Sequence, residues 1–174
     1  MTVTALQKHQ LRQRARDLLA AQHVKAAPVP IDRVAKNLGI TVRYAPLEDE
    51  LSGMAFIKDG QRFVVINALH HPNRQRFTAA HEIAHHVLHP HIFEQGVHVD
   101  KVILLKRDML AASGTDDIEI QANTFASELL IPEPLITSIL DQSFDFNDEA
   151  RMMELARKFR VSLAALQYRI AALD

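Results

Sequence analysis

The order of hydrophobic and polar positions divides the chain into a helical start, a cluster of strands and a helical second half. Over residues 4–22, Leu11, Ala15, Leu18 and Leu19 share one helical face, and arginine and lysine side chains occupy the other. Residues 26–30 read as a linker. A short helix follows, with Asp32 as its N-cap, Val34, Ala35 and Leu38 on its apolar side and Gly39 as its C-cap. Residues 40–44 alternate and are β-branched, which predicts a strand. Two further apolar runs, 54–57 and 62–67, flank Lys58-Asp59-Gly60, and Asp-Gly between such runs signals a hairpin. In the stretch 74–90, Phe77, Ala80, Ile83, Ala84, Val87 and Leu88 form one apolar helical arc that Pro90 stops. The pattern then weakens: 99–105 reads as a strand or buried turn, and 111–117 as a loop. Asp116 or Asp117 caps a strong helix over 118–130. A short helix over 133–140 comes next, then one from Asn147 or Asp148 to Phe159, and a last one capped by Ser162. Strands gathered ahead of helix 74–90 predict an α+β fold. A small three-stranded sheet, or a larger mixed one, packs on that helix, and the C-terminal part is helical.

Composition narrows the class. At 174 residues and 48% hydrophobic, the chain can bury a core without staples. The reading divides it into an N-terminal helix (1–27), a core (28–140) and a helical extension of the same domain (141–174). It has no cysteine, so disulfides and thiolate metal sites are excluded, and any metal must be held by His and carboxylate. No apolar run approaches membrane-spanning length and the N-terminus offers no signal segment, so a cytoplasmic protein is expected. A net charge of −1 argues against broad nucleic-acid affinity.

The chemistry lies in His81-Glu82-x-x-His85. On a helix, residues four apart stack on one face, so His81 and His85 can point at one metal ion. Glu82 sits about 100° round the helix, where a carboxylate can deprotonate a water activated by the metal. Both histidines fall on the edge of the apolar arc, where a buried face meets a cleft. A pair of imidazoles is commonly completed by a carboxylate. Glu119 is the best candidate, because it and Asn123 border the apolar arc of Ile118, Ala122, Phe125, Ala126 and Leu129 one turn apart. Asn123 is then placed to hydrogen-bond a ligand. Glu128, Glu94, Asp116 and Asp117 are rivals for the third position. His86 reads as structural or exposed, and His89 as a helix-terminal residue.

The stretch RQRFTAAHEIAHHVLH, followed by E-x-Q-A-N-x-F-A-x-E-L-L-x-P from Glu119 to Pro132, resembles the ImmA/IrrE metallopeptidase family. So do Ser52-Gly53 with the hairpin, and the tail ELARKFRVSLAALQYRI. The resemblance covers roughly residues 28–170. It implies a zincin-like metallopeptidase fold of the gluzincin type for the core, with His81, His85 and Glu119 as metal ligands and Glu82 as catalytic base. The expected metal is zinc, with manganese as an alternative. It further implies a cytoplasmic, bacterial or phage-borne endopeptidase that cleaves a specific protein, a helix-turn-helix transcription repressor, and so derepresses genes. The other reading it allows is a non-cleaving metal-binding regulator or toxin–antitoxin-associated partner. The chain departs from the family at Gln121, where Glu is often found, and its first 30 residues are too short for the DNA-binding domain many relatives carry there.

Other expectations follow from the residues. The strand after Ser52-Gly53 is expected at a sheet edge, free to pair with an extended substrate. Tyr44, Tyr168 and His98 are candidates for stabilising an oxyanion. Residues 151–170 have a helix-turn-helix look and carry Arg151, Arg157, Lys158, Arg160 and Arg169, so DNA contact is the rival to simple packing. Arg160 stands where such a turn favours Gly.

Overall fold

The computed structural model describes residues 3–95, 98–101, 114–140 and 144–173. The chain enters as helix α1, Ala5–Ala21, whose start is fixed by a capping box between Thr4 and Gln7. Helix α2, Ile31–Asn37, begins after Pro30, so Asp32 lies inside its first turn and is not its N-cap. There the acidic side chain favours the positive helix end and accepts a hydrogen bond from the Tyr44 hydroxyl at 2.8 Å. Gly39, with φ +70°, turns the chain into the sheet.

Strands β1 (Ile40–Ala45), β2 (Leu51–Lys58), β3 (Gln61–Asn67) and β4 (His98–Lys101) form one mixed sheet in the order β1-β3-β2-β4. β1 runs parallel to β3, and the other two pairings are antiparallel. The β2–β3 hairpin closes through Asp59 and Gly60, both at positive φ, the backbone a two-residue type I′ turn requires. The sheet is thus the larger mixed form. The added strand corrects the expectation of a free β2 edge: Ala55 pairs with Val64 on one side and with His98 on the other, and is fully buried. Of the rest of the expected strand 99–105, residues 102–105 lie outside the described residues.

Helix α3, Pro72–Leu88, lies across the inner face of β2 and β3, above Ala55, Val64 and Ile66. It starts with Pro72 at its first position and His71 as N-cap, two residues ahead of the stretch read from periodicity. Every residue from Thr78 to His86 is buried. An apolar arc with histidines at its solvent edge is therefore too simple a picture. The sheet covers one side of α3 and helix α4, Gly114–Leu130, covers another. The α4 backbone is helical from Gly114, so Asp116 and Asp117 lie in its first turn and are not caps; residues 111–113 lie outside the described ones. α1 also packs on α4, with Ala15 and Leu19 buried.

Helices α5 (Glu133–Thr137), α6 (Glu149–Phe159) and α7 (Leu163–Ile170) complete the described chain. The α6–α7 turn holds Arg160 at φ 54°, ψ 52°, a left-handed conformation in a residue other than Gly. The turn is tied to α3, since the Asn73 amide donates to Val161 O at 3.0 Å and Arg76 Nε to Arg160 O at 3.3 Å. Arg151, Arg157, Lys158 and Arg160 are exposed, but Arg169 is 1% exposed and does not belong to that basic surface.

At Gly53 on β2 the backbone comes close to both α3 and β3. A Cβ there would meet Thr78 Cγ2 at 2.6 Å and Val65 O at 2.9 Å. Gly53→Ala is expected to cost about 1–3 kcal/mol, the range for overpacking a core, measured as a lowered midpoint in urea. In a double-mutant cycle, Thr78→Ser should recover part of that loss because it removes the clashing methyl; strictly additive effects would contradict the contact.

Candidate metal centre

His81 and His85 stand one turn apart on α3, and Glu119 comes from the first half of α4. The two Nε2 atoms are 3.0 Å apart. Glu119 Oε2 lies 3.1 Å from His81 Nε2, and Oε1 lies 3.5 Å from His85 Nε2. Taking one donor atom from each residue, all three lie within 4.8 Å of one another. A tetrahedral ion with bonds of about 2.0–2.1 Å separates its ligand atoms by roughly 3.3 Å. Both the spacing and the donor set therefore fit one divalent ion, two imidazoles and a carboxylate being a ligand set of catalytic zinc. Glu82, next to His81 on α3, is fully buried.

The outer ring nitrogens explain why the inner ones face this point. His81 Nδ1 lies 3.0 Å from Asn123 Oδ1, an acceptor, so the ring donates there and keeps a lone pair on Nε2. His85 Nδ1 lies 3.3 Å from His89 Nδ1, and His89 Nε2 lies 3.0 Å from Gln121 Oε1. If Gln121 accepts from His89 Nε2–H, His89 Nδ1 becomes an acceptor, His85 Nδ1–H donates to it, and His85 Nε2 is left with its lone pair. Burial lowers the His89 pKa, with the Gln121 hydrogen bond opposing, and this favours the neutral ring that the chain of donors needs.

Burial by itself would raise the Glu119 carboxyl pKa. Hydrogen bonds from His81 and His85, and their charges when the rings carry Nε2–H, reverse that and hold it far below the usual carboxylate range. The protons on those Nε2 atoms are the ones a bound cation would displace.

The structure brings together His81, His85, Glu119 and Asn123. It does not bring Glu128 to them. That carboxylate is fully buried further along α4, where it is bonded to Arg169 and to the Glu133 backbone N–H. The side chains of Glu94, His98 and Asp116 lie outside the described residues. Tyr44 is held by Asp32 on the outer strand β1; burial, then that hydrogen bond, push its pKa up to about 12. Tyr168 is 72% exposed on α7. His86 is buried: its Nε2 faces Phe63 O at 3.0 Å and its ring stacks on Phe93. Sequence reasoning missed the pairing of His89 with Gln121. His89 does cap α3, its N–H reaching His85 O, but its ring is also part of the centre's surroundings. The four-residue step from His85 to His89 was the available signal.

A mixed sheet carrying a buried HExxH helix, with a carboxylate supplied by the next long helix, defines a zincin-like domain. The chain belongs to the family described as Peptidase M78, IrrE N-terminal-like domain, whose model matches residues 35–171. It is 27% identical over 119 residues to the uncharacterized immunity region protein 2 of Bacillus phage phi105, covering 68% of this chain and 69% of that one. It is 32% identical over 107 residues to the radiation response metalloprotease IrrE of Deinococcus radiodurans, covering 60% of this chain and 29% of IrrE. A Mycobacterium tuberculosis transcriptional regulator shares the fold, with a TM-score of 0.65 and 15% identity over 94% of this chain and 46% of that one. The chain thus corresponds to less than a third of IrrE and under half of the regulator. Family membership implies a divalent metal, and no described helix is long and apolar enough to cross a membrane.

His89→Phe keeps an aromatic ring in the buried space but removes both nitrogens. Loss of such an outer partner typically costs about 10–100-fold in metal affinity, and the same loss is expected here in competition against a chromophoric chelator. His89→Asn, which restores an acceptor toward His85, should recover part of it. Unchanged affinity in a folded His89→Phe protein would show that the ring is only filler.

Proposed function

We propose that this chain is a zinc-dependent endopeptidase that acts on a specific protein, with His81, His85 and Glu119 as metal ligands and Glu82 as general base. The observation that carries the reading is the convergence of the three donors within 4.8 Å, beside the buried Glu82, in a member of a peptidase family. A divalent ion held there supplies Lewis acidity, which acidifies water and polarises a peptide carbonyl. Glu82 takes a proton from the attacking water and returns it to the leaving amine nitrogen as the peptide bond breaks. Asn123 and His89 hold the imidazole rings, and the buried walls of α3 and α4 limit competing water.

The proposed substrate is a helix-turn-helix repressor, cut at one site to derepress genes. The similarity to a phage immunity-region protein supports a regulatory role of this kind. The four-stranded sheet moves the proposed docking edge away from β2. Ala55 sits inside the sheet, so a proline there would remove a ladder hydrogen bond from the fold itself.

Native mass spectrometry should find one zinc ion per chain. His81→Ala and His85→Ala should each abolish its retention, and Glu119→Gln should weaken it strongly by removing the ligand charge. Glu82→Gln should keep the ion while cleavage falls about 10²–10⁴-fold, the usual cost of losing a general base. Parallel loss of metal and cleavage in a folded Glu82→Gln protein would contradict the assignment.

The substrate reading is tested by identifying the neighbouring genes and incubating the zinc-loaded protein with any helix-turn-helix repressor they encode. One cut in the repressor and little action on casein are expected. Rapid digestion of casein, or an intact repressor, would overturn it.

A further inference from the structure

A second polar junction lies along α4 from the metal centre, where α1 and α7 meet it. Arg169 of α7 is 1% exposed. Its Nε donates to Ile131 O at 3.1 Å, and its Nη2 faces Glu128 and, at 3.5 Å, Glu133. Its Nη1 is also buried and has no hydrogen-bond partner. Arg16 of α1 reaches Glu133 at 2.8 Å and Glu128 at 3.6 Å. Two guanidinium groups therefore balance two carboxylates. Lys8 and Arg12, on the same face of α1 two and one turns earlier, are not part of these ion pairs.

Those two cations line a cavity of about 70 Å³ together with Arg169, Thr124, Ser127 and Tyr168. Among the described residues, no acidic side chain lines it. The Thr124 hydroxyl donates to Ile120 O, which leaves the Ser127 and Tyr168 hydroxyls as neutral donors. Lys8 and Arg12 bring two further positive charges beside the Arg169 guanidinium, which its own carboxylates already balance, and like charges so close repel one another. A single anion relieves that repulsion. The volume exceeds the roughly 10–15 Å³ that one water needs on the same measure.

We propose that this cavity binds one small oxyanion of the phosphate class, held by Lys8, Arg12 and the Arg169 guanidinium. Guanidinium groups match such oxygens in charge and geometry. A bound ion would tie α1 and α7 to α4, the helix that carries Glu119, without touching the metal centre.

The test is calorimetric titration of the zinc-loaded 174-residue chain with inorganic phosphate in a low-salt chloride buffer. Saturable binding of one ion per chain is expected. Lys8→Gln and Arg12→Gln, both at half-buried positions on a surface helix, should each weaken it by about tenfold or more, in line with the worth of a charged hydrogen bond. Arg157→Gln removes the same charge from exposed α6 and should leave it unchanged. So should His81→Ala, which separates this site from phosphate captured by the metal and from failure of the peptidase reading. Phenyl phosphate distinguishes the source: binding equal to phosphate assigns the site to an esterified phosphoryl group, and rejection assigns it to the free ion. Absence of saturable binding at millimolar phosphate would mean that water fills the cavity and would overturn the proposal. So would equal weakening by Arg157→Gln, or loss in His81→Ala.

Discussion

Three lone-pair donors are held within 4.8 Å of one another in an interface between two packed helices, and the rest of the fold answers to that constraint. Two imidazoles and a carboxylate facing one point are unfavourable in a dry interior unless a proton or a cation lies between them. Only a rigid surround maintains such an arrangement. The sheet supplies it on one side of α3, where Ala55, Val64 and Ile66 are fully buried, and α4 supplies it on another. Burial of every residue from Thr78 to His86 follows from this sandwich.

α4 has a polar cluster at each end of its packed length. Near its start, Glu119, Gln121 and Asn123 face the histidines of α3 directly or through His89. Near its end, Glu128 is locked by Arg169 and reached by Arg16. Between them, Ala122, Phe125, Ala126 and Leu129 are fully buried. The apolar stripe provides the packing energy, and the polar ends set the register in which the stripe packs. A shift of one turn would leave Glu128 without its cations and Glu119 without its histidines, and an unpaired buried charge is among the costliest of defects.

The left-handed Arg160 belongs to the same logic. The turn between α6 and α7 is held against α3 by Asn73 and Arg76, and these bonds offset a backbone conformation unfavourable to a side chain. The turn that looks like a DNA-binding element is thereby docked on the helix bearing the metal centre. One of its arginines, Arg169, is spent in the interior.

The sequence by itself determined the local structure and the donor pair. Helical spacing places His81 and His85 on one face, Asp59-Gly60 requires a tight hairpin, and the stripe of α4 requires a partner, because each depends only on residues a few positions apart. Asn123 could be named for the same reason, being one turn from Glu119. What spacing could not decide was which side chains meet across elements. β4 joins β2 through a pairing more than forty positions distant in sequence, so the edge strand read from local pattern was the wrong one. Glu128 and Glu119 both border the same apolar stripe, and only the packing of α1 and α7 gives Glu128 to Arg16 and Arg169 while Glu119 meets the histidines. Likewise His89 looked like a helix terminus until Gln121 was brought to it. Propensity and periodicity act along the chain, whereas the identity of a partner is fixed by which buried faces fit together, and that is settled only when the elements pack.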